Sequence, residues 1–132
     1  MKEIMDNGKN ISSESNINSP LGVRGRRFGQ TILLKPEGVE AYVKYHAAVW
    51  PGVLEMIKKC NIQNYSIFKK DLILFAYFEY IGDDFEGDMD KMAADPETQR
   101  WWDTVKPLMQ PIETRNAGEF WADMEEIFHT AP

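Results

Sequence analysis

The chain has one cysteine, Cys60, and only two histidines, His46 and His129. A lone cysteine forms no internal disulfide and rules out a cysteine-based zinc site, in keeping with a reducing compartment. The histidines do not stand at metal-ligand spacing, and neither a glycine-rich phosphate loop nor a serine elbow occurs. These absences argue against metal and nucleotide chemistry. No apolar run approaches the ~20 residues that span a bilayer, and the start, "MKEIMDNGKN", lacks the apolar centre of a signal peptide. A cytoplasmic protein without membrane contact is therefore expected. Positive charge is also scarce: 15 Lys and Arg against 21 Asp and Glu give a formal charge of −6. Nucleic-acid binding, which needs clustered cations, has little support, since the one basic cluster, Arg24 to Arg27, is short and leads into a strand.

What the chain does have is apolar and aromatic mass. A length of 132 residues with 43% hydrophobic and 12% aromatic side chains suffices for one core, so one domain is expected. Residues 1–23 are rich in Asn, Ser and Gly and bury too little to offset their ordering entropy; they read as a disordered tail, leaving 24–132 as the domain. From Arg27, "RFGQTILLK" reads as a strand stopped by Pro36. A helix then carries Val39, Tyr42, Val43, His46, Val49 and Trp50 at spacings of three and four, and Pro51 must kink it after Trp50 or restart it through about Lys59. "QNYSIFKKDLILFAYFEY" reads as a hairpin that turns near Lys69 to Asp71, with Tyr65 and Ile67 on one face. Its second strand is apolar almost throughout and is expected to be covered on both faces. Phe85, Met89 and Met92 mark another helical face, and Asp95-Pro96 opens a helix running to about Leu108. "GEFWADMEEIF" fits a closing strand or a short helix. The order β-α-β-β-α-β specifies an α+β, ferredoxin-like fold: a four-stranded antiparallel sheet with helices on one face.

His46 falls inside an apolar stripe, where the plain alternatives are a buried histidine with satisfied hydrogen bonds and a general acid/base in a pocket. Tyr42, one turn earlier, points the same way. In "TQRWWDTV", adjacent helical residues diverge by about 100°. Trp101, in step with Val105 and Leu108, suits the core, and Trp102 is left to line a cleft or an interface. An indole offers a flat face to the C–H face of a sugar and an N–H to a hydroxyl. Tyr65 and Tyr80 read as sheet tyrosines with hydroxyls in water, the alternative for Tyr65 in a ferredoxin-like sheet being to face the same cleft as the first helix. The acidic run from Asp83 to Asp90 lacks the ligand pattern of a calcium loop and reads as a solvated helix start.

The combination of "AYVKYHAAVWP", "NYSIF" and "TQRWWDTVKPLM" with a terminal "DMEEIF" resembles the L-rhamnose mutarotase family over residues 27–132. The resemblance implies the dimeric α/β barrel type of ferredoxin-like fold, a homodimer, and cofactor-free interconversion of the α and β anomers of L-rhamnose. It further implies that His46 is the proton donor and that Tyr42, Tyr65, Trp101 and Trp102 bind the sugar, against the spacing that puts Trp101 in the core. The chain departs from the family pattern in a shorter "KKD" turn and in "QPIETRNAGEF" before the last strand. Two alternatives share the fold: a cofactor-free or haem-degrading monooxygenase, and a non-catalytic sugar-binding module with a structural histidine.

Overall fold

The computed structural model describes residues 25–132, so the expected tail and the first residue of the expected domain lie outside the described residues. The first strand, β1 (Arg26–Leu34), buries Phe28, Gln30, Ile32 and Leu34 on alternate positions, as a strand with one covered face must. It pairs antiparallel with β3 (Ile73–Tyr80), from Arg26 opposite Tyr80 to Leu33 opposite Ile73. β3 is joined to β2 (Ile62–Lys70) by a tight hairpin in which Lys70 opposes Ile73. Asp71 takes the left-handed conformation there, with φ of 52°. The other edge of β1 is shared end to end by two short strands: β4 (Met109–Gln110) pairs at Leu33–Leu34, and β5 (Ala122–Met124) at Gly29–Thr31. Five strands thus occupy four positions in the order β2-β3-β1-β4, with β5 beside β1. This is the expected ferredoxin-like sheet, its last strand broken in two because Pro111 and the turn around Gly118 interrupt pairing.

Four helices cover one face. The first, α1 (Val39–His46), follows a 3-10 turn at Pro36–Gly38, and α2 (Pro51–Lys59) restarts the chain with Pro51 in its first turn. The residue before a proline is driven out of the helical region, and Trp50 is accordingly extended, with φ −62° and ψ 137°. Of the two alternatives at Pro51 the restart holds, and α1 itself stops at His46. α3 (Phe85–Ala94) is capped by the Asp84 carboxylate, which accepts from the Gly87 amide. α4 (Pro96–Val105) is capped by Asp95, which accepts from both the amide and the hydroxyl of Thr98, and it continues as a 3-10 turn at Lys106–Leu108.

The core lies between sheet and helices. Phe78, wholly buried, stacks on Phe28 at 4.7 Å between centroids, and Phe28 stacks in turn on Phe85 at 5.0 Å. Truncating such a side chain, as in Phe78→Ala, costs about 3–5 kcal/mol. Three expectations are corrected here. Asp88 is not solvated: it is 8% exposed and accepts from Asn61 Nδ2 at 2.9 Å and from the Tyr80 hydroxyl at 2.6 Å, so Tyr80 does not end in water either. A buried carboxylate survives only with such donors. And the outer face of β3 is open in the single chain, exposing Ile73 and Phe75.

Candidate active site

A cavity of about 440 Å³ opens between α1, α2 and α4 and the inner face of β2, closed below by Met109 and Trp121. Its size is that of a small-molecule site, and its wall is apolar with few polar groups. Tyr42, His46, Tyr65, Trp101 and Trp102, the five residues singled out from the sequence, all line it.

The break at Pro51 positions the first pair. By ending α1 at His46, it leaves the imidazole on the last turn, over the ring of Tyr42 at 4.0 Å and 23°. His46 Nδ1 lies 2.8 Å from the Tyr42 backbone carbonyl. A carbonyl only accepts, so Nδ1 carries the hydrogen and Nε2 keeps its lone pair. Burial lowers the pKa of His46 from its ordinary value, more than the hydrogen bond to Tyr42 raises it. The ring is therefore neutral at pH 7, with one nitrogen fixed and the other able to take a proton. Burial raises the pKa of Tyr42 and that of Tyr65, with Tyr42 adding to the effect on Tyr65. Both hydroxyls thus stay protonated and are able to donate a hydrogen bond.

Trp101 lies in the core and Trp102 lines a cleft, as the spacing predicts, and Trp101 reaches the cavity as well. Trp101 and Trp102 are buried to 3% and 4% exposure, and both line the cavity. Trp101 is ringed by His46 at 5.1 Å, Trp50 at 5.1 Å and Tyr45 at 6.2 Å, each steeply tilted to it. It therefore supports the imidazole as well as filling space. Trp102 Nε1 is buried without a hydrogen-bond partner among the described residues. Native buried donors are rarely left so, and a polar group of a ligand would complete it.

Tyr65 arrives from β2, held against Phe78 at 5.5 Å. Sequence reasoning missed Trp121, hidden in a segment whose spacing fits helix and strand alike, and also missed Gln63 and Asn64, which edge the cavity. Asn64 has a φ of 52°, and asparagine's tolerance of that region is the one local signal for the irregularity. His129 lies in the exposed C-terminal segment, away from the cavity.

A family model described as L-rhamnose mutarotase matches residues 27–130, all but a few of those described. The chain belongs to the L-rhamnose mutarotase family. The L-rhamnose mutarotase of Lactiplantibacillus plantarum is 34% identical over 105 residues, which span 78% of this chain and 96% of that protein. That of Phocaeicola vulgatus is 36% identical over 106 residues, spanning 79% and 97%. The crystal structure of an L-rhamnose mutarotase from Formosa agariphila superposes with a TM-score of 0.61 at 23% identity, covering 80% of this chain and 99% of that one. Tetracenomycin F2 cyclase of Streptomyces glaucescens, a type-II polyketide cyclase, superposes at 0.50 with 18% identity over 80% of this chain and 98% of its own. One fold thus carries unlike chemistries, and it is membership in the mutarotase family, rather than the fold, that bears on the reaction. These matches do not favour the monooxygenase alternative.

Proposed function

We infer that the protein interconverts the α and β anomers of L-rhamnose by general acid/base catalysis at His46. Mutarotation opens a hemiacetal and closes it on the other face. Nε2 of neutral His46 takes the proton of the anomeric hydroxyl, and the imidazolium returns a proton to the ring oxygen as the ring C–O bond breaks. Both oxygens sit on one carbon, so one imidazole serves both. The aldehyde end rotates, and the reverse steps close the ring. The Tyr42 ring beneath the imidazole stabilises the transient cation, and the Tyr42 carbonyl fixes its tautomer and angle. Tyr42 and Tyr65 donate to sugar hydroxyls, Trp102 does so through its indole N–H, and Trp101 presents its ring. The observation that carries this reading is His46 itself: a neutral imidazole with one nitrogen tied, at the wall of an aromatic cavity. A single positioned acid/base group contributes about 10²–10⁴-fold, sufficient for a reaction that already proceeds in water.

The working unit under this reading is residues 24–132, acting in the cytoplasm as a homodimer paired through the outer sheet face. Support for the dimer comes from Phe68, Ile73, Phe75 and Met124, which sit on that face at 61, 50, 37 and 51% exposure, an apolar surface of the kind that partners cover. Magnetisation transfer between the α and β anomeric protons of L-rhamnose at equilibrium tests the activity. Sub-stoichiometric protein should speed the exchange, and exchange no faster than in buffer would refute the assignment.

A further inference from the structure

The cavity is larger than the sugar assigned to it. L-Rhamnose displaces about 200 Å³ at the packing density of organic crystals, less than half of the cavity's volume of about 440 Å³. The lining falls into two parts. Tyr42, Trp101 and Trp102 are buried, as are Met109 and Trp121 below them, and most of the groups read as sugar ligands belong to this inner part. The outer part is walled by Leu54 at 53% exposure, by the half-buried Ile57, and by the exposed Gln63 and Asn64. It forms the mouth, between α2 and the start of the edge strand β2. One rhamnose in the inner part leaves this mouth unfilled.

The mouth has the chemistry of a carbohydrate subsite. Leu54 and Ile57, three residues apart on α2, share a helical face and both line the cavity, offering apolar surface to the C–H face of a pyranose. On the β2 side stand two amides that are already fixed in place. Gln63 Nε2 and Asn64 Nδ2 each donate to Glu79 Oε1 at 2.8 Å, and the Tyr77 hydroxyl holds Glu79 Oε2 at 2.6 Å. Each amide keeps a second N–H and its carbonyl oxygen, so each can both donate to and accept from a hydroxyl. Groups held in advance lose little further freedom when a ligand arrives. Among the described residues, no Lys, Arg, Asp or Glu lines the cavity. A phosphate, sulfate or carboxylate entering it would give up hydration and find no counter-charge, which points to a neutral occupant.

We propose that the mouth is a second sugar subsite, and that the protein also anomerises L-rhamnose standing at the reducing end of a neutral disaccharide. Ring opening involves only C1, O1 and O5: the anomeric hydroxyl gives up its proton, the C1–O5 bond breaks as the C1–O1 bond becomes a carbonyl, and O5 gains a proton. A glycosyl unit on O2, O3 or O4 leaves all three atoms untouched and extends into the mouth while the rhamnose ring occupies the inner part. The proposal rests on the mutarotase reading and widens its substrate class. Contacts in the mouth are made alike in the ground and transition states, so they lower KM and leave kcat unchanged.

Magnetisation transfer at the anomeric protons gives KM and kcat for L-rhamnose and for glucosyl-L-rhamnoses linked through O2, O3 and O4, and tryptophan fluorescence gives Kd for the same sugars. At least one disaccharide should show KM and Kd about three- to tenfold below those of rhamnose, with kcat within about twofold. Leu54→Ser, a change at an exposed position, should raise KM and Kd of that disaccharide about fivefold and leave those of rhamnose within about twofold. KM and Kd at or above those of rhamnose for all three disaccharides, beside normal exchange of rhamnose itself, would overturn the subsite and leave the mutarotase reading standing. An equal effect of Leu54→Ser on both sugars would overturn it too, because the mouth would then be part of the rhamnose site. No acceleration of rhamnose exchange would refute the mutarotase reading, and the comparison of Kd values, which needs no activity, then decides the subsite by itself.

Discussion

Replacing Trp102 by Phe should weaken L-rhamnose binding while leaving the free protein nearly as stable as wild type. In the free protein the indole N–H is buried without a partner among the described residues, a state that costs about 1–3 kcal/mol. Phe removes that cost but leaves a void in a side chain that is only 4% exposed, at a penalty of about 1–2 kcal/mol. The two effects oppose each other, so the net change should stay within about 1 kcal/mol. Binding has no such offset. The N–H that would donate to a sugar hydroxyl is gone, and a net hydrogen bond of about 0.5–1.5 kcal/mol corresponds to a loss of about 2- to 13-fold in affinity. Thermal unfolding with and without sugar reads both quantities at once. At a rhamnose concentration of 100 Kd, wild type gains about 2.7 kcal/mol; a tenfold weaker variant at the same concentration gains only about 1.4 kcal/mol. The ligand-induced shift in Tm should therefore fall by about half while the Tm without sugar barely moves. A sharply lowered Tm without sugar, with an unchanged ligand-induced shift, would refute the reasoning and make Trp102 a packing residue.

Further predictions concern pH and assembly. Burial holds the His46 pKa below its ordinary 6.5, so exchange should be on its plateau at pH 7 and fall only in more acidic solution, which a rate profile from pH 4 to 9 checks. The same shift means that the folded chain binds fewer protons than the unfolded one in that acidic window, so the contribution of His46 to stability is complete above 6.5 and is lost as pH falls through the folded value. Asp123 has the opposite sign. Burial first, then the neighbouring Glu119, push its carboxyl up to about 7, against the hydrogen bond from Gln30. Stability should accordingly decline as pH rises toward 7, and Asp123→Asn should add about 1 kcal/mol at pH 8 but nothing at pH 4, after allowance for solvent screening; paired melts measure this. Phe75→Glu, in the centre of the exposed sheet face, should convert a dimer to a monomer in light scattering, and an unchanged mass would place the pairing surface elsewhere.

The parts of the site that were legible in sequence are those set by local spacing. Tyr42 and His46 stack because residues four apart on a helix share a face, and Pro51 opens the wall beside them because proline ends one helix and starts another. Asp95-Pro96 likewise announces the start of α4. What was not legible depends on the tertiary arrangement. Periodicity puts Trp101 in the core, where it lies, but cannot show that the cavity reaches it as well as Trp102. An irregularity in β2 between Gln63 and Ser66 brings Ile62 to the same face as Ile67, against simple alternation, and only the pairing with β3 reveals it. Asp88 looks like one more solvated carboxylate in an acidic run until the fold brings Asn61 and Tyr80 to it. Trp121 closes the cavity from the bend just before a three-residue strand, in a segment too short to carry a periodic signal.

The most direct test of the central claim is anomer exchange of L-rhamnose by His46→Gln, measured by magnetisation transfer beside rhamnose binding followed through tryptophan fluorescence. The imidazole is half-buried and its one hydrogen bond lies within its own helix, so the variant should fold and bind the sugar with little loss. Enzymatic exchange should drop by about 10²–10⁴-fold, to near the rate in buffer. Exchange within a few fold of wild type, in a variant that still binds rhamnose, would contradict the account and move the proton transfer to another group in the cavity.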